Sequence, residues 1–216
     1  MSILLIGANG RTGRQLAQRL GARELSFKAV IRRSDQAGAL RALGAEIVLA
    51  DLNHDFSHAF DAVETVIYAA GSGEAEGVAE ERAIDRDAVI QAVDAARRRH
   101  LRRFVLIGSI SAYAPEQAPF ALRHYSRMKR EADDYLIGSG LDYLILRPGP
   151  LSDGPAAGRV APATQRAATM PAVTRADVAE LALEALELGI HRRVLGFVGG
   201  DVPIAEVLAP LHRRQG

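Results

Sequence analysis

A tyrosine and a lysine with helical spacing are the residues of this chain best suited to proton transfer. Tyr125 and Lys129 are four residues apart in a stretch with a helical pattern, so their side chains share one face of the helix. A tyrosine pKa of about 10 must fall towards about 7 for efficient proton transfer, and a neighbouring ammonium acts in that direction. The spacing therefore predicts a phenol that exchanges a proton with a substrate.

Serines stand upstream of this pair, at the end of an apolar run. Residues 104–107 are apolar and lead into Gly108, Ser109 and Ser111, which predicts a strand that delivers hydroxyl groups to the edge of a sheet. Ser109 could orient or polarise a substrate oxygen there. Ser111 is an alternative for the same position, and the residues alone leave that choice open.

The N-terminal residues predict a turn that binds a dinucleotide. An apolar run at 3–6 leads into Gly7, Gly10 and Gly13, with two residues between successive glycines, and then into a helical pattern. Glycine tolerates positive φ and lets backbone amides approach a pyrophosphate, while the helix N-terminus offers N–H groups and a favourable dipole. The predicted phosphate-binding residues are Gly7, Asn9, Gly10, Arg11, Thr12 and Gly13.

Two arginines follow the second predicted strand and favour NADP over NAD as the cofactor. NAD-binding sheets usually carry Asp or Glu at this point, for the ribose 2′-hydroxyl. Arg32 and Arg33 suit a 2′-phosphate instead, because a guanidinium pairs bidentately with phosphate and can stack on adenine. The alternative is a generally arginine-rich surface, since the only lysines of the chain are Lys28 and Lys129.

Residues at the ends of the third and fourth predicted strands complete the predicted cofactor site. Asp51, followed by Leu52, could accept a hydrogen bond from the adenine amine, or it could cap the turn that follows. Ala69, Ala70 and Gly71 are small enough to lie against a cofactor ribose. We expect all of these residues at the cofactor.

These residues need a parallel α/β sheet to bring them to one edge. The apolar runs predict strands near 2–6, 28–32, 46–50, 64–69, 103–108, 142–147 and 194–198, and the helical patterns predict helices near 11–21, 35–43, 78–99, 124–139, 175–188 and 203–213. This alternation predicts an α/β fold with a Rossmann-type, doubly wound parallel sheet. We expect residues 1–216 to form a single domain. The apolar stripe of the helix at 78–99 indicates core packing only.

One stretch departs from this alternation. Residues 148–174 are rich in proline and glycine, which exclude a long helix. The stretch follows the carboxyl end of a strand, where ligands bind in open α/β sheets. We expect it to wall a substrate pocket and, with the last two elements, to form a small C-terminal substrate-binding portion. A disordered connector is the alternative.

Composition excludes several other functions. Without cysteine the chain has no disulfide, no thiolate nucleophile and no cysteine-ligated metal. A net charge of +1 gives no global field for nucleic acid or an anionic membrane, and no apolar run approaches about 18 residues. His54 and His58 have i,i+4 spacing but lack the glutamate of the zinc-protease motif. We therefore expect a cytoplasmic monomer or homodimer that binds a small-molecule substrate and no metal, nucleic acid or membrane.

The order of these motifs resembles the short-chain dehydrogenase/reductase superfamily. A glycine turn is followed by a serine strand and then by Tyr-x-x-x-Lys. Residues 124–151, and above all the run LRPGPL at 146–151, resemble the compact atypical branch of that superfamily, which is NAD(P)-binding, epimerase-like and related to the NmrA-like proteins. Residues 174–179 and 196–200 also fit its pattern. One departure is at Gly108 and Ser109, where relatives often have two serines.

The resemblance implies a role for each motif residue. Tyr125 would be the acid/base, Lys129 would bind the nicotinamide ribose, and Ser109 would lie beside the substrate. The residues implied at the nicotinamide end are Pro148, Gly149 and Leu151. The implied function is that of an NADP-dependent oxidoreductase acting on a small carbonyl, alcohol or conjugated substrate. The alternatives are a non-catalytic NADP-binding redox sensor and an epimerase or isomerase that uses bound cofactor transiently.

Overall fold

The structure is a computed structural model that describes residues 2–73, 77–164 and 170–213. Parallel strands form the middle of its main sheet. The strands are β1 (Ile3–Ile6), β2 (Phe27–Ile31), β3 (Glu46–Leu49), β4 (Thr65–Tyr68), β5 (Arg103–Ile107), β6 (Asp142–Pro148), β7 (Leu151–Ser152), β8 (Arg159–Pro162), β9 (Val173–Thr174), β10 (Arg193–Gly199) and β11 (Val202–Pro203). The helices are α1 (Arg11–Ala22), α2 (Ala37–Arg41), α3 (Gly77–Arg82), α4 (Ala88–Arg98), α5 (Arg123–Gly138), α6 (Arg175–Glu187) and α7 (Ile204–Arg213). A π-helical turn, Ala83–Asp87, joins α3 to α4.

The strand order is that of a doubly wound sheet. The described residues form a nine-stranded sheet in the order β11-β8-β10-β6-β5-β4-β1-β2-β3. Neighbouring strands from β10 to β3 are parallel, and β8 runs antiparallel to both β10 and β11. The predicted α/β class and Rossmann-type parallel sheet are confirmed. The carboxyl ends of the parallel strands consequently lie along one edge of the sheet.

Helices cover the sheet on both faces, which explains the apolar runs of its strands. One face packs side chains such as Leu5 and Leu144 against α1, α6 and α7. The other packs side chains such as Leu4 and Phe104 against α4 and α5. Because alternate side chains of a strand point to opposite faces, both sets must be apolar, and all of β1 is buried.

The long helix predicted at 78–99 is interrupted by the π-helical turn. In such a turn the backbone hydrogen bonds reach one residue further along the chain, so one residue is inserted into the helical register. The turn carries Asp85, which is fully buried between α5 and the segment after β4. The interpretation of this helix as core packing only is therefore incomplete, because a periodic stripe does not reveal one inserted residue.

The stretch 148–174 contains strands in the part that the structure describes. β7 pairs in parallel with β9, and β8 extends the main sheet beside β10. The backbone N–H groups of Gly149 and Ala163 donate to the carbonyl oxygens of Phe197 and Gly196, at 2.8 and 2.9 Å. These bonds hold the stretch against β10. Residues 165–169 lie outside the described residues, and the role of the stretch as a pocket wall stays a prediction.

Candidate active site

The glycine turn between β1 and α1 is too tightly packed to admit side chains. Gly7 has a φ of +82°, and a Cβ added there would lie 2.5 Å from the Ala70 nitrogen. A Cβ on Gly13 would lie 2.0 Å from the Gly7 carbonyl oxygen. The turn therefore presents backbone, and α1 begins behind it at Arg11 without a side-chain cap. A helix N-terminus in this setting can receive an anionic group.

A cavity of about 250 Å³ extends from this turn along the carboxyl ends of β1 to β4. The lining residues that the sequence predicts at the cofactor are Gly7, Asn9, Gly10, Arg32, Asp51, Leu52, Ala70 and Gly71. The lining residues that sequence reasoning misses are Val30, Ile31, Gln36, Ala50, Asn53, Glu80 and Ile84. Most of the missed residues have no signal of their own, because apolar strand ends occur throughout an α/β chain. Only Gln36, close to the two arginines, could have been found.

The two arginines after β2 have different surroundings. Arg32 lines the cavity. Arg33 instead pairs with Asp35 through both carboxylate oxygens, with Arg33 Nε 3.0 Å from Oδ1 and Nη2 on Oδ2, and both side chains are largely exposed. Sequence reasoning treats the two arginines as equivalent, although an aspartate two residues after Arg33 was a signal that it is already paired.

Asp51 caps the turn after β3 and also lines the cavity. Its Oδ1 accepts a hydrogen bond from the Asn53 N–H at 3.0 Å, so it caps the turn that follows β3. The same residue, with Leu52, lines the cavity. The cap is therefore observed, whereas contact with an adenine amine stays a prediction.

The other predicted cofactor residues lie outside this cavity. Arg11 pairs with Asp153 at 3.7 Å, and Asp153 pairs with Arg175 at 2.8 Å, so ion pairs bridge the glycine turn to the segment after β7. Gly149 packs on β10, where a Cβ would lie 2.7 Å from Val198 Cγ1. The remaining predicted residues that do not line the cavity are Thr12, Gly13, Arg33, Ala69, Lys129, Pro148 and Leu151.

The predicted catalytic residues come together where β5 ends against α5. Lys129 Nζ lies 5.7 Å from the centre of the Tyr125 ring, as i,i+4 spacing requires. The Ser109 hydroxyl lies near enough to the Tyr125 phenol to lower the pKa of that phenol. Ser109 Oγ also lies 3.0 Å from Ser111 Oγ. The two serines are thus neighbours at the end of β5, and the choice between them as the substrate-side serine stays a prediction.

The surroundings of Tyr125 raise the pKa of its phenol above the ordinary value, contrary to the lowering predicted from Lys129. Burial is the largest cause. The Lys129 ammonium and the Ser109 hydroxyl lower this pKa, while the Asp85 and Asp133 carboxylates raise it. The effect of the ammonium is reduced because its charge is paired with a carboxylate.

The partner of Lys129 is a buried carboxylate that sequence reasoning misses. Asp85 Oδ1 lies 2.9 Å from Lys129 Nζ, and Asp85 Oδ2 accepts hydrogen bonds from the Ser72 hydroxyl at 2.6 Å and the Ser72 N–H at 3.2 Å. Burial lowers the pKa of Lys129, but Asp85, Tyr125 and Asp133 together more than offset this, so the pKa is raised. The available signal was an aspartate directly after an apolar residue of the stripe, Ile84.

A second groove lies over β10 and β8, beside the short turn that follows Ser109. Its lining residues are Tyr113, Ala161, Pro162, Ala163, Thr164, Pro171, Val194, Leu195, Gly196, Val198 and Gly199. The Arg147 guanidinium lies 4.3 Å from the centre of the Tyr113 ring, and Arg147 Nε donates to Asp133 at 2.8 Å. Burial raises the pKa of Asp133 to about 6, with Arg147 opposing. A Cβ on Gly196 would lie 2.6 Å from Tyr113, so this glycine makes room for the ring.

The described ranges contain neither a membrane-spanning helix nor a metal-binding cluster. No helix within them is long and apolar enough to cross a membrane. Within the same ranges, no group of three or more His, Asp or Glu side chains could hold a metal ion. Of the two histidines with i,i+4 spacing, His54 and His58, the second has its Nε2 atom 3.3 Å from the Leu49 carbonyl oxygen.

Known proteins resemble this chain over nearly its full length. The family model described as NAD(P)H-binding matches residues 7–188. YhfK of Bacillus subtilis, named as an uncharacterized sugar epimerase, is 34% identical over 216 residues, which cover 98% of this chain and 100% of YhfK.

Solved structures show the same relationship. A Bacillus halodurans protein named for NAD-dependent epimerases and dehydratases is 37% identical, with a TM-score of 0.93 over 98% of this chain and 100% of that one. ChuY, named as an anaerobilin reductase of Escherichia coli O157:H7, is 27% identical, with a TM-score of 0.78 over 94% of this chain and 98% of ChuY. With the Rossmann-type sheet and its glycine turn, these matches show that the chain belongs to the NAD(P)H-binding family, which agrees with the resemblance to atypical short-chain dehydrogenases/reductases.

Proposed function

We propose that this protein is an NADP-dependent oxidoreductase that acts on a small carbonyl, alcohol or conjugated substrate. The observation that most supports this proposal is that the cavity and the predicted catalytic residues lie at the same edge of the sheet. The cavity at the glycine turn and the Tyr125, Lys129 and Ser109 group both lie at the carboxyl ends of parallel strands, where ligands bind in this fold.

The residues at the turn fit a dinucleotide. The collisions that a Cβ would make at Gly7 and Gly13 leave a surface of backbone at a helix N-terminus, which suits a pyrophosphate. Arg32 in the cavity suits a 2′-phosphate, and Asp51 suits an adenine amine. We assign the phosphates to Gly7, Asn9, Gly10, Arg11, Thr12 and Gly13, and the riboses and nicotinamide to Ala69, Ala70, Gly71, Lys129, Pro148, Gly149 and Leu151.

The chain's own part in the reaction is to hold the reactants and to move one proton. When bound, the nicotinamide supplies or takes up a hydride, which is the cofactor's chemistry. In reduction Tyr125 donates its phenolic proton to the substrate oxygen, and the Ser109 hydroxyl orients that oxygen. Lys129 binds a ribose hydroxyl and steadies the charge left on the phenol.

The electrostatics of the site suit Tyr125 as a proton donor. Burial and the neighbouring carboxylates keep the pKa of Tyr125 above its ordinary value, so the phenol is protonated at neutral pH and ready to donate.

The second groove is the proposed substrate site. It offers the Tyr113 ring, the backbone at Gly196 and the Val198 side chain, and it is bounded by residues of the stretch 148–174. A flat substrate with an apolar face suits such a lining. ChuY is named as a reductase, which supports this assignment, whereas the epimerase names of the two Bacillus proteins support an epimerase as the second candidate.

Replacing Arg32 with alanine should weaken NADPH binding by about 10- to 100-fold, because a charge-assisted bond to phosphate contributes about 1.5–3 kcal/mol. NADH binding should be unchanged. Arg33→Ala is the matched variant, and we expect an effect of about threefold or less, since Asp35 already pairs with that exposed guanidinium. Fluorescence titration with both nucleotides measures this.

Two outcomes would contradict the assignment of Arg32. Equal losses of NADPH affinity in the two variants would mean that Arg32 is not the specific partner of the phosphate. A loss of NADH affinity in Arg32→Ala would mean that the substitution damages the groove itself.

Turnover assays distinguish the candidate functions. The unmodified protein is mixed with NADPH and a panel of carbonyl compounds, quinones and flavins, and NADPH absorbance is followed. Substrate-dependent consumption of NADPH is the result expected of an oxidoreductase. A cofactor that purifies with the protein and is never consumed would favour an epimerase. Tight NADPH binding without consumption by any compound would favour a redox sensor.

A further inference from the structure

Asp85 has two partners that belong to different walls of the site. Its Oδ1 faces Lys129 on α5, and its Oδ2 is bound by Ser72. Ser72 directly follows Gly71, which lines the cavity at the glycine turn, and a Cβ on Gly71 would lie 3.3 Å from Asp85 Oδ1. One carboxylate thus joins the helix that carries Tyr125 to the wall of the proposed dinucleotide groove.

The π-helical turn places Asp85 in this position. The preceding residue, Ile84, lines the same cavity, and its carbonyl oxygen accepts a hydrogen bond from the buried Tyr68 hydroxyl at 2.8 Å. The turn is therefore fastened to β4 on one side of Asp85 and faces α5 on the other. Single π turns inside α-helices are frequent at functional sites.

Stability alone does not account for this ion pair. Asp85 is 0% and Lys129 is 3% exposed, so both charges are removed from water, which is costly. A well-packed apolar pair of the same volume is often as stable as a buried ion pair, or more so. A role in the site explains the pair better than a contribution to folding.

The ammonium of Lys129 keeps a donor available. Its Nζ forms an ion pair with Asp85 Oδ1 at 2.9 Å, and one of its three N–H groups donates to the Ile107 carbonyl oxygen at 3.5 Å. In the part of the chain that the structure describes, this ion pair and this hydrogen bond are the polar contacts of the ammonium. An N–H group therefore remains for a ligand.

We propose that Asp85 is a positioning residue for Lys129. Its carboxylate holds the ammonium beneath Tyr125 with one N–H directed to a ribose hydroxyl, and the Ser72 bonds couple this arrangement to the groove wall. The proposal rests on the proposed function, in which Lys129 binds the ribose.

The charges around the pair define what the proposal predicts. Lys129 is faced by Asp85 from the π turn and by Tyr125 and Asp133 from its own helix. Burial lowers the pKa of the ammonium, and the Asp85 carboxylate is the largest opposing influence. Removing that carboxylate should therefore lower the pKa of the Lys129 ammonium, because burial is then opposed less.

The small number of lysines in the chain makes the pKa of Lys129 measurable. Lys28 and Lys129 are the only lysines, so protein labelled with ¹³C at lysine Cε gives two signals, and Lys129→Met assigns them. In the unmodified protein the Lys129 signal should show no loss of the proton up to about pH 11. In Asp85→Asn it should titrate about 1–3 pH units lower. Asp87→Asn, which removes a partly exposed carboxylate paired with Arg86 in the same turn, should leave the Lys129 signal unchanged.

NADPH titration of the same variants tests the coupling to the groove. Asp85→Asn should bind NADPH about tenfold more weakly, and Asp87→Asn should stay within about threefold of the unmodified protein. Unchanged NADPH affinity in Asp85→Asn would overturn the coupling. An unchanged Lys129 titration in Asp85→Asn would overturn the positioning role.

The positioning role can also be tested without the Asp85→Asn variant and without a nucleotide. If Asp85→Asn does not fold, the Lys129 titration of the unmodified protein still tests the proposal. Loss of the Lys129 proton below about pH 10.4 would mean that no carboxylate holds the ammonium. The lysine titration is made without a nucleotide, so it reports on Asp85 independently. Failure to bind NADPH at all would instead overturn the proposed function.

Discussion

Tyr125→Phe is expected to lower turnover by about 10²- to 10⁴-fold, the usual contribution of a positioned acid or base. NADPH binding should be unchanged, because the substitution removes only the hydroxyl, and the groove that we assign to the dinucleotide does not include this residue. Steady-state turnover and fluorescence titration of the same preparation measure the two effects.

Tyr135→Phe is the matched control for that change. Tyr135 lies on the same helix, is exposed, and hydrogen-bonds to Asp94 at 2.8 Å, so its loss should leave turnover within about twofold. If Tyr125→Phe retains full turnover with any substrate that consumes NADPH, the phenol is not the proton donor. Loss of NADPH binding would point instead to a structural effect.

Gly13→Ala is expected to weaken NADPH binding by about 100-fold or more and to destabilise the fold. Its Cβ would lie 2.0 Å from the Gly7 carbonyl oxygen and 2.8 Å from the Gly7 carbonyl carbon, and backbone cannot yield as a flexible side chain can. The helix must then move away from β1, at a cost of about 1–3 kcal/mol of stability, and the proposed phosphate site moves with it. Thermal unfolding and NADPH titration measure both effects.

Gly138→Ala makes the same chemical change at the end of α5. No atom lies within 4 Å of a Cβ added there, and alanine is the better helix former. We expect unchanged NADPH affinity and equal or slightly higher stability. If Gly13→Ala behaves like Gly138→Ala, the close packing of the turn is not what makes the groove.

The fold was largely predictable because buried parallel strands are apolar throughout. The apolar runs that end near Ile6, Ile31 and Ile107 are strands whose two faces are both covered, so composition alone marks them. The edge strands β8 and β11 were not predictable in the same way. They are short, partly exposed and held by tertiary pairing with β10, which leaves no local pattern.

The site was predictable where residue type and local spacing carry the chemistry. Tyr125 and Lys129 share a helix face because they are four residues apart. The apolar run that ends before Ser109 predicts that this serine lies at the end of a strand. Asp85 was hard to predict, because a lone acid in a helix is usually exposed and its place after Ile84 is a weak signal. The contacts with Ser72 and with Lys129, 44 residues away in the chain, show that the carboxylate is buried and paired.

Electrostatics limited the sequence prediction for Tyr125. Spacing indicates that an ammonium is nearby, which predicts a lowered pKa. Burial and the carboxylates of Asp85 and Asp133, which reach the site from two helical segments, reverse the sign. A charge lowers a neighbour's pKa only to the extent that its own counter-ion leaves it unbalanced.

The most direct test of the proposed function is the affinity of the unmodified protein for NADPH and for NADH, titrated at the same ionic strength. With Arg32 at the end of β2 in the cavity, we predict that NADPH binds at least about tenfold more tightly than NADH. Equal or tighter binding of NADH would contradict the assignment of a 2′-phosphate to Arg32. Binding of neither nucleotide would contradict the account as a whole.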